Sequence, residues 1–300
     1  MRTRRSLIDL DDLKADELDY ILARTDEFKK SAPGKLLDGT ACANMFFEQS
    51  TRTYASFMLA ELRLGAHVVN LHPMNLSLAT KGETIEDTAI TLGAMGFSVL
   101  VVRHPEAGFP KRIAEVFDGH VVNAGDAGHA HPTQALLDIY TLREEFGSLR
   151  GRTVAIVGDI VHSRVAHSLI RGLHRLDANV ILVGPDAFLP PDYASPRVSV
   201  ERDFDAVLPR IDALVLLRIQ RERFDSMPIS DDEYVASYRL DADRLARMSN
   251  EAIVMHPGPY NRGMELDDSV LEFAGWRYAT QVKHGVTVRM ALLDFLVNGR

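Results

Sequence analysis

The amino-acid sequence predicts an α/β protein built from two doubly wound parallel-sheet domains. Three observations carry that reading. Short β-rich apolar runs alternate with segments of helical spacing along nearly the whole chain, and such alternation implies parallel strands covered by helices on both faces. The 300 residues suit two domains better than one, at roughly 150 residues per domain. The series also restarts after Gly147-Ser148-Leu149-Arg150-Gly151, where a long helical segment ends. Residues 1–147 and 148–285 are therefore read as the two domains, with a last helix at about 286–300 packing back onto the first.

The β-rich runs fall at residues 41–47, 67–71, 98–102 and 120–123, then at 153–157, 179–183, 213–217 and 252–255. Helical spacing marks 51–64, 83–95, 111–117, 133–146 and 164–176. In the last helix Val288, Leu292, Phe295 and Leu296 recur at i, i+4, i+7 and i+8, which puts them on one buried face. The Pro- and Asp-rich stretch 185–196 reads as a surface loop.

Composition narrows the function classes. With 46% hydrophobic and 25% charged residues the chain has the balance of a folded soluble protein, and disorder of its body is excluded. Lys and Arg number 34 against 42 Asp and Glu, a net charge of −8. That argues against nonspecific nucleic-acid binding, which needs a basic face. No apolar run approaches the ~18 residues of a membrane span; the best, 97–102, ends at Arg103. The basic start is followed by Asp9, Asp11 and Asp12 before a signal-peptide core could form. A single cysteine, Cys42, allows neither an internal disulfide nor a cysteine metal cluster. The expectation is a cytoplasmic protein without nucleic-acid or membrane partners.

In open α/β sheets the ligand lies beyond the carboxyl ends of the strands. After the first strand comes Glu48-Gln49-Ser50-Thr51-Arg52-Thr53, opening a helix. Three hydroxyls, a guanidinium and unpaired backbone N–H groups there suit a phosphate. A competing reading makes Ser50 a simple helix N-cap. Neither a Walker loop nor a dinucleotide fingerprint occurs, since Val157-Gly158-Asp159 lacks the further glycines. Arg103, ending the third strand, is either paired internally or aimed at an anion. The turn 125–134 is a glycine turn with Pro132 at the first helical position, which leaves His131 and Gln134 unexplained. Polar clusters at 158–164, 218–223 and 256–262 repeat the habit in the second half.

Taken together these segments resemble the aspartate carbamoyltransferases, within the wider aspartate/ornithine carbamoyltransferase family, over nearly the whole chain. The resemblance rests on Phe46-Phe47-Glu48 with Ser50-Thr51-Arg52-Thr53, on His131-Pro132-Thr133-Gln134, and on Ser77 with Lys81-Gly82-Glu83. Arg164, then Arg218, Gln220 and Arg223, then His256-Pro257-Gly258-Pro259 follow in the family's order. It implies transfer of a carbamoyl group from carbamoyl phosphate to the amine of L-aspartate, in pyrimidine biosynthesis, with neither metal nor cofactor.

Carried over by motif, Ser50, Thr51, Arg52 and Thr53 resemble the phosphate-binding set. Thr53, Arg103 and His131 resemble the groups on the carbamoyl carbonyl oxygen. Gln134 and the carbonyls of Pro257 and Gly258 would hold the carbamoyl amide, and Arg164, Arg218 and Gln220 the two carboxylates of aspartate. The resemblance places the active site in the cleft between the domains. It also implies a homotrimer in which Ser77 and Lys81 reach a neighbouring subunit's site, and it leaves open a further regulatory or dihydroorotase-like partner chain. Glu48 would pair with Arg164 and Arg223 on domain closure once both ligands bind.

Departures are few. Tyr54 stands where the family usually has arginine, and Leu76, Leu78 and Ala79 where it often has Ser or Thr. An ornithine carbamoyltransferase is the nearest alternative, but Arg164 and Arg218 suit a dicarboxylate and would repel a side-chain ammonium. That branch also carries a cysteine near the C-terminus, where this chain has His256-Pro257-Gly258-Pro259. A catalytically inactive scaffold relative is the other alternative, although each substrate-contacting position of the family keeps its residue.

Overall fold

A computed structural model describes residues 5–76, 81–191 and 196–299. Its contacts divide the chain into two compact units, Met1–Tyr140 with Val282–Arg300, and Thr141–Gln281.

The first unit holds a four-stranded sheet of β1 (Ala41–Phe46), β2 (His67–Leu71), β3 (Phe97–His104) and β4 (His120–Asp126). The strands run parallel in the order β2-β1-β3-β4. Helices α1 (Ala15–Lys30), α2 (Thr51–Arg63), α3 (Ile85–Ala94) and α4 (Phe109–Val116) belong to it. The central strands are buried on both faces, so they read as continuous apolar runs such as Val99-Leu100-Val101-Val102. One side of the sheet packs Met45, Leu100 and Val102 against Ile85, Ile113 and Phe117.

Helices α5 (Pro132–Phe146) and α8 (Tyr278–Asn298) run through the boundaries between the units. Within the first unit, the later part of α8 is fastened to α1 by an ion pair of Arg24 Nε with Asp294 at 2.8 Å. Val288, Leu292, Phe295 and Leu296 are all buried, which is the face the spacing predicts. The helix itself begins earlier than the apolar pattern, at Tyr278, because its first turns carry polar residues.

The second unit holds β5 (Thr153–Val157), β6 (Asn179–Val183), β7 (Val198–Glu201), β8 (Ala213–Leu216) and β9 (Ile253–Met255). They are parallel in the order β7-β6-β5-β8-β9. Helices α6 (Arg164–Arg175) and α7 (Asp231–Tyr238) are its longer ones. One core runs from Ala155, Leu214 and Val254 to Phe188, Phe204 and Tyr234.

Several elements go beyond the sequence expectation, among them helix α1, strand β7 and helix α7. Helix α1 buries Leu18, Ile21, Leu22 and Thr25 at i, i+3, i+4 and i+7, a stripe diluted by the acidic residues around it. Strand β7 is a four-residue edge strand with a partly exposed pattern, and α7 starts in the acidic run Asp231-Asp232-Glu233 behind an Ser230 cap. Within 185–196, Asp186–Phe188 forms a 3-10 turn whose Phe188 is buried, so part of that loop is core.

Candidate active site

In the first unit the chain leaves β1 for β2 on one side and returns to β3 on the other. A crevice for ligands opens outside the strand ends at such a reversal. Glu48 follows β1 and Arg103 lies at the end of β3, and the two meet there. Arg103 Nε stands 3.2 Å from Glu48 Oε2, and Nη1 of the same guanidinium donates to the Ala124 carbonyl at 3.4 Å. A cavity of about 710 Å³ beyond β1 and β2 is lined by Phe47, Glu48, Ser50, Thr51 and Asn70, among others.

Ser50 occupies the N-cap position of α2 with extended backbone, φ −161° and ψ 103°, but its side chain makes no capping bond. The simple N-cap reading of its hydroxyl therefore does not hold. The first-turn N–H groups and the positive end of the helix dipole are left for another acceptor. Arg52, half-buried in that first turn, has no ion-pair partner among the described residues. A guanidinium partly withdrawn from water without an internal carboxylate is well suited to a bidentate oxyanion. Thr53 is buried, and its Oγ1 lies 3.3 Å from His131 Nε2. That hydrogen bond, whose direction follows the imidazole tautomer, joins the start of α2 to the start of α5.

The turn leading to His131 is shaped by Asp126, which in the sequence looks like an ordinary turn residue. Its buried carboxylate accepts from the Gly108 backbone at 2.8 Å, from Asn123 Nδ2 at 2.8 Å and from the Ala130 backbone at 3.1 Å. His129 Nδ1 lies 3.2 Å away. One buried anion thus gathers loops from β3, β4 and α5.

The second unit repeats the plan. Its winding reverses between β5 and β8. Gly158, just past β5, has φ +123°, and a Cβ there would lie 2.6 Å from the Leu217 carbonyl oxygen; only glycine lets the two loops approach so closely. Asp159, fully buried, accepts from His162 Nδ1 at 2.9 Å and from the Gln220 backbone at 3.1 Å. Gly125-Asp126 and Gly158-Asp159 each sit at the carboxyl end of a strand, and that repeated dipeptide is the sequence signal for both aspartates.

Arg164 opens α6 behind Ser163, whose Oγ accepts from the Ala166 backbone at 3.2 Å. Arg218 follows β8 and makes a bidentate pair with Glu222, one bond at 3.0 Å. The guanidinium holds the Glu222 carboxyl down at about 2. The pair shows what the Arg218 fork is shaped to take, a carboxylate. Gln220 Oε1 accepts from Arg223 Nε at 3.2 Å. Beyond β9, Pro257 has no N–H and that of Gly258 donates to His256 Nδ1 at 2.8 Å. What this turn can offer a ligand is therefore its carbonyl oxygens. Lys81 is exposed, while Ser77 lies outside the described residues. Among the described residues no group of three or more His, Cys, Asp or Glu could hold a metal ion.

The family model for the aspartate/ornithine carbamoyltransferase carbamoyl-P binding domain matches residues 5–144. The one for the Asp/Orn binding domain matches residues 150–296. The chain belongs to the aspartate/ornithine carbamoyltransferase family. It is 50% identical over 267 residues to the aspartate carbamoyltransferase catalytic subunit of Salinispora arenicola, covering 88% of this chain and 86% of that one. Its structure is similar to aspartate transcarbamoylase from Trypanosoma cruzi in complex with N-(phosphonacetyl)-L-aspartic acid. That match has a TM-score of 0.87 at 32% identity, over 97% of this chain and 95% of the other. A complex of the Trypanosoma cruzi enzyme with carbamoyl phosphate and aspartate matches with a TM-score of 0.84 at 32% identity, over 97% and 96% of the two chains.

Within the family frame, each unit carries one reversal point with its own polar set. Glu48, Ser50, Thr51, Arg52, Thr53, Arg103, His131 and Gln134 lie in the first unit, and Arg164, Arg218, Gln220, Arg223, Pro257 and Gly258 in the second. Two contacts were not foreseen from sequence, Glu48 with Arg103 and Arg218 with Glu222.

Proposed function

We propose that this chain transfers the carbamoyl group of carbamoyl phosphate to the amine of L-aspartate, giving N-carbamoyl-L-aspartate and phosphate. The observation that carries the reading is the start of α2. A half-buried Arg52 with no ion-pair partner among the described residues stands beside an N-cap serine whose hydroxyl makes no capping bond, with Thr53 bonded to His131 at 3.3 Å.

Ser50, Thr51, Arg52 and the first-turn N–H groups bind the phosphate. Thr53, Arg103 and His131 donate to the carbamoyl oxygen, where negative charge grows as the amine nitrogen attacks the carbon. One such donor is typically worth 10²–10³ in rate. Gln134 and the carbonyls of Pro257 and Gly258 accept from the carbamoyl NH₂. Arg164, Arg218 and Gln220 hold the aspartate carboxylates, placing the amine against the carbon. The new C–N bond forms, the bond to the phosphate oxygen breaks, and the amine proton leaves with phosphate. With both substrates bound, Glu48 exchanges Arg103 for Arg164 and Arg223, freeing Arg103 for the carbamoyl oxygen.

The working form is a cytoplasmic homotrimer in which Lys81 and Ser77 complete a neighbour's site. In support, β2 is an edge strand, and Leu62 of α2, Val69 of β2 and Met74 beyond it are exposed. Exposed large apolar side chains such as these suit a contact face.

Incubation with labelled carbamoyl phosphate and either L-aspartate or L-ornithine tests the reading. Carbamoyl-aspartate is the expected product. Citrulline instead would move the chain to the ornithine branch, and no product from either would make it an inactive relative.

A further inference from the structure

Gln134 and Asp138 lie one turn apart on α5, at i and i+4, so their side chains share a face. Gln134 is 9% exposed and Asp138 is fully buried. Gln134 Nε2 donates to Asp138 Oδ1 at 3.0 Å. An amide side chain has two chemically opposite ends, and nothing in its own shape decides which end faces a ligand. A carboxylate does decide it, because it only accepts.

A buried guanidinium stands near the Asp138 carboxylate. Arg289 of α8 is 2% exposed and acts on Asp138 electrostatically. Burial pushes its guanidinium down to about 9, and the Asp138 charge opposes that fall; at neutral pH it stays a cation. It is itself fixed, donating to the Gly285 carbonyl at 3.0 Å and to Thr133 Oγ1 at 3.2 Å. Its guanidinium carbon lies 4.9 Å from the centre of the Phe57 ring on α2. The buried cation thus spans the helix that carries Arg52 and Thr53 and the one that carries Gln134.

We infer that Asp138 is the positioning residue that turns the Gln134 amide oxygen toward the ligand, so that the site selects a carbamoyl group over an acyl group of the same shape. The inference rests on the carbamoyltransfer reading of the site. With its NH₂ held by Asp138, Gln134 offers an acceptor. A carbamoyl NH₂ satisfies that acceptor; an acetyl methyl leaves it unpaired, and an amide turned the other way would set donor against donor.

The test compares carbamoyl phosphate with acetyl phosphate, which differs only in a methyl for the NH₂, by titration calorimetry on the full chain. Asp138→Asn keeps the shape but can donate as well as accept, so the Gln134 amide is no longer held one way. The expected result is an affinity for carbamoyl phosphate about tenfold lower than wild type, as for a lost hydrogen bond, with acetyl phosphate changed less than twofold. Equal weakening of both ligands would mark a merely structural role and overturn the inference, as would no change in either.

If Asp138→Asn does not fold, wild-type protein labelled with [15N]glutamine decides the matter, since the chain has only Gln49, Gln134, Gln220 and Gln281. The Gln134 side-chain protons are then expected to exchange slowly with solvent before any ligand is added; free exchange overturns the inference. Product assays on the wild type keep the two readings apart. A wild type that makes carbamoyl-aspartate while Asp138→Asn keeps the wild-type ligand preference sinks only the role of Asp138.

Discussion

Glu48 and Arg103 face each other at the reversal point of the first sheet, with Oε2 and Nε 3.2 Å apart and side chains only 24% and 13% exposed. Arg103 is therefore neutralised by a carboxylate from the next loop, although the proposed chemistry asks it to stabilise a growing oxyanion.

Glu48→Gln tests the exchange of partners. The variant removes the Glu48 charge but none of the groups proposed to hold carbamoyl phosphate, so carbamoyl phosphate binding is expected to change little. Its loss is expected where Glu48 should meet Arg164 and Arg223, with the KM for aspartate up about tenfold and turnover down by a similar factor, the scale of one charged hydrogen bond. Steady-state kinetics in each substrate measure both. Unchanged aspartate KM and turnover would remove Glu48 from the mechanism.

Arg52→Ala separates function from stability. Because Arg52 has no ion-pair partner among the described residues, its removal strands no buried charge, and the unfolding free energy is expected to move by no more than about 0.5 kcal/mol. Turnover is expected to fall by about 10²–10³, the usual loss for a donor that meets developing charge. Thermal melts and single-turnover assays give the two numbers. A large drop in melting temperature with modest loss of rate would recast Arg52 as structural.

Glu61 gives stability an unusual pH dependence. It is fully buried on α2, and burial raises its carboxyl to about 7, against a hydrogen bond from Asn44 Nδ2 at 2.8 Å that pulls the other way. Below the unfolded value of 4.5 both states hold the proton and the site costs nothing. Between 4.5 and 7 the unfolded chain releases it while the folded one keeps it, so stability falls as pH rises and levels off above 7. The full effect is about 3 kcal/mol at most. Glu61→Gln should be more stable than wild type at pH 8 and nearly equal to it at pH 4.5 in urea unfolding. Parallel curves across that range would contradict the assignment.

The sequence shows these groups unequally, for physical reasons. Thr53 and His131 are legible because each sits just past an apolar run, where parallel-sheet chemistry concentrates. Asp159 reads as an ordinary turn residue because what defines it comes from far along the chain, the Gln220 backbone reaching it across 61 positions. Asp126 reads as one because its bonds to Asn123 and Ala130 are those of a local turn, and only the Gly108 backbone, 18 positions away, sets it apart. Glu222 was hidden in a charge run, Arg221-Glu222-Arg223, that looks like solvated surface until Arg218 is found four residues back. Helix α1 and strand β7 escaped because acidic residues and shortness blur their periods, whereas the central strands, buried on both faces, stand out.

Arg218→Ala joins the aspartate site to a group that can be titrated. In the folded chain Glu222 is held at about 2, first by its hydrogen bonds from Arg218, and that depression is a record of the guanidinium's position. Without Arg218 the carboxyl should return toward its ordinary value of 4.5, seen as a later NMR titration of the Glu222 side chain. The same variant should raise the KM for aspartate by about 10²-fold, since a charged pair with a substrate carboxylate is lost, while the affinity for carbamoyl phosphate stays near wild type. A restored Glu222 titration with unaltered aspartate KM would mean that Arg218 serves Glu222 alone, and the dicarboxylate site would have to be rebuilt around Arg164.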